Sequence, residues 1–285
     1  MKKQKHPFIT RRKFFYTGIL GTLGASYTYA RYIEPYQLAI TRKDIITPRL
    51  PASLDGTTIA QLTDLHFQPE RHEALISEAI ALTNAEKPDI IALTGDYITD
   101  TDSVFPPLVP HLSQLKAKHG VYAVLGNHDV WYGLLGTFKT GFQQAGIELL
   151  NNRGSTIRIK GEKLFIAGTT SALSGGFTPS KAFQGHGNEP IIALMHEPDV
   201  FDRIAAKYPV SLQLSGHTHG GQCRVPIIGY VPAKVMLGKK YIYGQYNLNN
   251  SQIFVSRGIG TTAINVRFSC KPEIAIITLR SPYVS

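Results

Sequence analysis

Cysteine is scarce in this chain: Cys223 and Cys270 are the only two in 285 residues. They stand too far apart for a clustered metal motif, and neither lies beside an activating base in the sequence. A thiolate metal cluster and a cysteine nucleophile are therefore set aside. The pair reads as two buried free thiols, with a disulfide as the alternative in an exported chain. No apolar run reaches the roughly 20 residues of a spanning helix. The nearest candidate, Phe14 to Ala30, is short, weakly apolar and interrupted by glycines. Low-complexity tracts are absent, and no repeat recurs at solenoid or propeller periods. With 43% hydrophobic and 18% charged residues, the composition is that of a globular chain with ample material for a core.

The net charge of +10 suggests nucleic acid until its location is considered. Residues 1–30 carry Lys2, Lys3, Lys5, Arg11, Arg12 and Lys13 and no acidic residue, which leaves +4 on the rest of the chain. Nucleic acid is accordingly not expected as a partner. The basic start followed by a weakly apolar run has the layout of a signal peptide or signal anchor, with no clean cleavage site after Thr28-Tyr29-Ala30. The expected organisation is a leader over 1–30, a linker and first strand over 31–57, and one domain over 58–285.

Five short apolar runs follow, at 58–63, 89–94, 121–125, 191–195 and 210–214. Runs of this length without polar alternation predict strands buried on both faces. Helical patterns over 70–85, 105–118, 138–145 and 199–206 lie between or after them, and a hairpin is expected around Lys160-Gly161-Glu162. Residues 168–190, rich in Gly, Ser, Thr and Pro, predict a long loop. At or just beyond the end of each apolar run stands a metal-competent residue: Asp64 and His66, Asp96, Asn127 with His128 and Asp129, His196, and His217 with His219. In α/β sheets that edge is where sites form. Taken singly, each has an ordinary explanation as a turn, a cap or a hydrogen-bonded histidine.

In order, the set D-x-H, G-D, G-N-H-D, H, G-H-T-H resembles the calcineurin-like metallophosphoesterase family from about Thr58 to His219. The resemblance implies a four-layer α/β/β/α sandwich with two mixed sheets and no large cap domain. It implies two divalent metal ions, Mn, Fe or Zn. Asp64, His66 and His219 would hold the first, Asn127, His196 and His217 the second, and Asp96 would bridge them. Mixed oxygen and nitrogen donors suit such borderline cations. Two cations about 3.5–4 Å apart clamp the attacking and leaving oxygens of an in-line displacement, and a bridging hydroxide would be the nucleophile. His128 is then the candidate acid for the leaving group, with Asp129 beside it as a catalytic partner that orients it or supports its loop. Gln222 and Arg224 are candidate orienting or phosphate-touching residues. Trp131 and Tyr132 form either a substrate wall or core.

The expected function is hydrolysis of phosphodiester, pyrophosphate or phosphomonoester bonds, with phosphate-ester or pyrophosphate substrates as partners. Segment 10–16 resembles a twin-arginine export signal, and the tail resembles a bacterial subgroup some of whose members hydrolyse UDP-2,3-diacylglucosamine in lipid A synthesis. The alternative is therefore that lipid pyrophosphatase activity, with Arg257 and Arg267 on the diphosphate and membrane association through the leader. A third reading, a non-catalytic interaction protein on the same fold, predicts lost ligands. Export, or anchoring with the domain on the cytoplasmic membrane face, is the expected localisation. The sequence leaves metal identity and oligomeric state open.

Overall fold

The computed structural model describes residues 11–229, 231–232 and 234–284; the first ten residues of the expected leader lie outside the described residues. In chain order the elements are α1 (Arg11–Tyr32), β1 (Ala39–Ile46), β2 (Thr58–Leu62), α2 (Pro69–Ala85), β3 (Ile90–Leu93), α3 (Phe105–Leu112), β4 (Val121–Ala123), α4 (Asn127–Tyr132), α5 (Leu135–Gln144), β5 (Glu148–Leu149), β6 (Arg153–Ile159), β7 (Glu162–Gly168), α6 (Pro179–Ala182), β8 (Ile191–Leu194), α7 (Phe201–Lys207), β9 (Leu212–Ser215), β10 (Gly244–Leu248), β11 (Ser251–Val255) and β12 (Glu273–Arg280). They build two six-stranded sheets, ordered β1-β12-β2-β3-β4-β5 and β10-β11-β9-β8-β7-β6. In the first, only the β12–β2 pair is antiparallel. In the second, the outer pairs β10–β11 and β6–β7 are antiparallel and the inner strands parallel.

The apolar runs are explained by what covers each face. The same tetrapeptide, Ile-Ile-Ala-Leu, forms β3 and β8. Side chains alternate across a strand. Ile90 and Ala92 of β3, with Ile192 and Leu194 of β8, enter the core between the sheets. Ile91 and Leu93 turn outward onto α2, α3 and α5 through Leu75, Ile76, Phe105, Phe138 and Phe142. Ile191 and Ala193 turn outward onto α6 and α7 through Ala182 and Ile204. Two sheets face to face with helices outside make the four expected layers.

Several elements depart from the sequence pattern. The helix expected over 105–118 stops at Leu112, where the Ser113 and Gln114 amides turn back to the Val109 and His111 carbonyls. Asn127 opens a short helix, α4, where the sequence suggests only a loop. The first strand expected within 31–57 is present as β1, residues 39–46, in full register with β12. No described helix is long and apolar enough to cross a membrane. α1 is tied down at its C-terminal end, where the Arg267 amide donates to the Ala30 carbonyl and Arg31 reaches the Asn265 carbonyl at 3.0 Å.

Candidate metal centre

The parallel strands β2, β3 and β4 of one sheet and β8 and β9 of the other deliver their C-terminal ends to one place. Gln61 stitches the sheets together just beneath it, donating from Nε2 to Thr94 Oγ1 and to the Ser215 carbonyl, each at 2.9 Å. All seven expected ligands are buried there. Donor atoms of Asp64, His66 and His219 lie within 4.8 Å of one another, as do those of Asp96, His196 and His217, and a third such group joins Asp96 to His66 and His128.

The spacing is that of ligands around cations. Asp96 Oδ2 stands 3.1 Å from His196 Nε2 and 3.5 Å from His66 Nε2, and Asp64 Oδ1 stands 3.4 Å from His219 Nε2. Two donors bound about 2.1 Å from one cation are separated by roughly 3.0–3.4 Å. Hydrogen bonds elsewhere on the rings set which nitrogen is free. A carbonyl only accepts, so His196 Nδ1, 2.7 Å from the Thr94 carbonyl, carries the proton, and in the neutral ring Nε2 offers its lone pair to the site. By the same reasoning His217 Nε2 donates to the Met236 carbonyl at 2.7 Å and Nδ1 is the free atom. Such outer contacts fix tautomer and orientation. His66 Nε2, His196 Nε2, His219 Nδ1 and Asn127 Oδ1 are buried without a hydrogen-bond partner. A buried polar atom left unpaired costs about 1–3 kcal/mol. The His66 and His196 lone pairs, which converge on Asp96 Oδ2, are relieved by a cation between them. The residues present fit two metal ions.

Electrostatics point the same way. Burial lowers the His66 pKa to about 3 and holds His217 and His219 below the usual histidine range, so these rings are neutral donors. Burial also pushes the Asp64 carboxyl up to about 6, against the pull of His196. Asp96 resists burial and stays ionised, held low by the His196 and His66 rings beside it; in turn it raises His196 against burial. The field that draws a proton onto His196 is one that draws a cation.

The backbone is strained where the ligands sit. Asp64, His66, Asp96, His217 and His219 all have positive φ, between 41° and 71°. Side chains other than glycine rarely adopt this region, and such conformations cluster at functional sites. Neighbouring glycines make room: a Cβ on Gly126 would meet Asp96 Oδ1 at 2.2 Å, and one on Gly216 would meet Asp64 Oδ2 at 2.3 Å.

His128 lies beside the centre. Its amide donates to Asp96 Oδ1 at 2.9 Å, and its ring packs edge-on against His66 with centroids 4.8 Å apart. Nδ1 donates to the Thr99 carbonyl at 2.5 Å, which leaves Nε2 to act. Trp131 and Tyr132, both half exposed, flank this ring at 5.9 and 5.8 Å, so they belong to the site's wall and not to the core.

Other expected residues have structural roles. Asp129, grouped with His128 as a catalytic partner that orients it or supports its loop, makes the loop-supporting bonds and no bond that orients His128. Its buried carboxylate accepts the amides of Asp96, Tyr97, Ile98 and Gly126 and locks the loops after β3 and β4 together. Burial, then Asp96, push its pKa up against those four donors. Arg267, a candidate diphosphate ligand, is fully buried and donates to the carbonyls of Cys270, Arg257, Gly258 and Gly260. Arg257, the other candidate, is paired with Glu273 at 3.1 Å. Gln222 bonds the Thr262 and Ile264 carbonyls. Cys223 and Cys270 are free thiols, and Cys270 Sγ touches the His219 carbonyl at 3.2 Å.

Sequence reasoning missed the supports. Gly258 and Gly260 press on the backbone and side chain of Asp64 and Leu65, His72 Nδ1 bonds the His66 carbonyl at 2.9 Å, and buried Glu197 receives Ser171 and the Ala172 amide from the 168–190 loop. No local pattern announces such contacts; the glycine pair Gly258 and Gly260 was the one available signal.

Comparison with known proteins agrees. The model of the calcineurin-like phosphoesterase family matches residues 57–221. The uncharacterized metallophosphoesterase YkuE of Bacillus subtilis (strain 168) is 34% identical over 283 residues, 95% of this chain and 98% of that one. Phosphodiesterase YaeI of Escherichia coli (strain K12) is 32% identical, covering 95% of this chain and 99% of its own length. The UDP-2,3-diacylglucosamine pyrophosphatase LpxG of Chlamydia trachomatis serovar D is 24% identical, covering 92% and 95%. With more than half of its length matched by the family model, and its acid and imidazole groups converging as that chemistry requires, the chain belongs to the calcineurin-like phosphoesterases and is a metal-dependent hydrolase of phosphoester bonds.

Proposed function

We propose that the protein hydrolyses phosphodiesters or pyrophosphates, with Asp64, His66 and His219 on one cation, Asn127, His196 and His217 on the other, and Asp96 between them. The observation that carries this reading is the convergence of unpaired, buried His66 Nε2 and His196 Nε2 on the Asp96 carboxylate, with Asn127 Oδ1 also buried and unpaired. When bound, the cations supply charge neutralisation of the phosphate and acidify a water for attack. The protein's own groups do the rest. Asp96, kept anionic, holds the pair together while its Oδ1 fixes the His128 amide. The Thr99 carbonyl holds the Nδ1 proton and aims the ring, so that in the imidazolium form His128 can give its Nε2 proton to the departing oxygen and keep the one on Nδ1. Trp131 and Tyr132 border the space that the leaving group occupies. The test is hydrolysis of bis-p-nitrophenyl phosphate by the full chain with Mn, wild type against Asp96→Ala. Equal turnover in the two would sink the reading.

A narrower reading, a lipid-linked pyrophosphate substrate met at a membrane, is favoured by apolar side chains around the site. Trp131, Leu134, Ile227, Ile228 and Met236 are exposed on loops and short elements that flank the ligands, and α1 exposes Phe15, Leu20 and Leu23. LpxG, named for such a substrate, is a relative. On this reading the leader directs export or holds the domain at the membrane. Fractionation of cells expressing the chain with and without residues 1–30 tests that part; identical soluble distributions would remove it.

A further inference from the structure

Beyond the metal ligands, the turn that carries His219 leads into a second polar cavity. It has a volume of about 320 Å³ and is lined by Arg224, Lys234, Tyr243 and Tyr246 with Val231 and Ile242. No acidic side chain lines it. Arg224 is held in place from two sides: Nε donates to the Gly220 carbonyl at 2.6 Å, and the guanidinium lies over the Tyr243 ring at 4.5 Å. The same ring carries a second guanidinium, Arg257, at 5.0 Å. The two cations differ in one respect. Arg257 is neutralised by Glu273, whose carboxylate also takes Thr41, Ser256 and the Tyr243 hydroxyl and is thereby saturated. Arg224 has no carboxylate partner among the described residues, and its terminal nitrogens make no hydrogen bond there. Lys234, exposed, adds a second positive charge, its Nζ spending one donor on the Lys239 carbonyl.

A half-buried guanidinium with no carboxylate beside it keeps its positive charge uncompensated and attracts an anion. Its free edge presents a planar fork that matches two phosphate oxygens, and an ammonium facing the same space matches a third. Gly220 permits the approach: a Cβ there would stand 2.8 Å from Arg224 Nη2, so any side chain would displace the fork. We propose that this cavity is a second anion site, separate from the metal centre, that binds a phosphate-sized group. The group is either a free or substrate-borne phosphate or the headgroup phosphate of a lipid, the latter because Val225, Ile227 and Ile228 expose apolar surface in the adjoining segment.

The test is calorimetric titration of the metal-loaded full chain with inorganic phosphate. Two binding events are expected in the wild type. In Arg224→Ala the second should weaken by roughly tenfold or more while the event at the metals persists, and Arg224→Lys, which keeps charge but loses the fork, should fall between. Should Arg224→Ala fail to fold, Lys234→Ala on the surface decides, with an expected severalfold loss. A single event in the wild type, or unchanged affinity in every variant, overturns the site. Co-sedimentation with phosphatidylglycerol vesicles separates the sources. Retention that drops in Arg224→Ala and is competed by phosphate assigns the lipid headgroup. Arg224-dependent phosphate binding with vesicle retention indifferent to Arg224 assigns the soluble group. Because the second event is scored separately, failure of the phosphoesterase reading would show in the first event and in turnover, not here.

Discussion

The two sheets contribute unequally to the centre they share. The sheet containing β2, β3 and β4 brings both carboxylates, Asp64 and Asp96, together with His66, Asn127 and His128. The sheet containing β8 and β9 brings imidazoles alone: His196, His217 and His219. One half carries charge, and the other carries neutral lone pairs, made neutral at His217 and His219 by burial. Neither half completes a cation site. On the proposed assignment Asp64 and His66 need His219 from across the seam, and His196 and His217 need Asp96 and Asn127. Docking of the sheets and assembly of the site are thus one event, which is why Gln61 and the Asp64 carboxylate, accepting the His217 amide at 2.9 Å, both bridge the seam.

Substitutions can break this asymmetry. The largest effect is expected at Asp96, whose Oδ2 lies within 3.5 Å of a histidine from each set. Asp96→Ala should lower turnover by roughly a thousandfold or more and release both cations, read by atomic emission. On the imidazole half, His196→Ala should release one cation and keep the other; loss of both would mean that the two sites are not separable. His128→Gln should retain both metals and lose about a hundred- to a thousandfold in turnover, more for poor leaving groups. Metal loss in that variant would make it a ligand instead. Gly258 has φ +68° and a Cβ there would meet the Asp64 Cβ at 2.7 Å, so Gly258→Ala should destabilise by about 1–3 kcal/mol and weaken metal binding through Asp64. Its melting curves with and without chelator separate the two. The smallest effect is expected at Tyr97, buried beneath the site with its hydroxyl shared between the Leu93 and Val124 carbonyls at 3.1 and 3.0 Å. Tyr97→Phe should cost about 1–2 kcal/mol and leave metal stoichiometry alone.

How far the amino-acid order reaches is clear from particular residues. The runs that become β3 and β8 are readable because a strand covered on both faces must be apolar throughout, and that is a local property. The ligands are readable because their residue types are few and each follows such a run. Asp129 shows the limit. It is adjacent to His128 in sequence, yet its carboxylate reaches amides 31–33 positions away as well as the cap of its own helix. Arg267 shows it again: an arginine reads as a surface cation, and only the fold reveals four carbonyls that enclose it. The second sheet's edge strand β10, half-buried and without an apolar run, also gives no local signal.

By itself, then, the sequence determined the strand and helix periodicity, the four-layer class through its motif order, and the candidate metal-binding side chains. These follow from hydrophobic pattern and from donor chemistry, which each residue carries wherever it stands. Tertiary structure alone decided which ring nitrogen faces the metals, which arginines are spent on the backbone and which remains free, and which glycines lie against Asp64. Those depend on contacts between residues far apart in the chain, such as Arg257 with Thr41, 216 positions away. Contacts of that reach are set by the docking of two sheets, and no local stretch of chain encodes them.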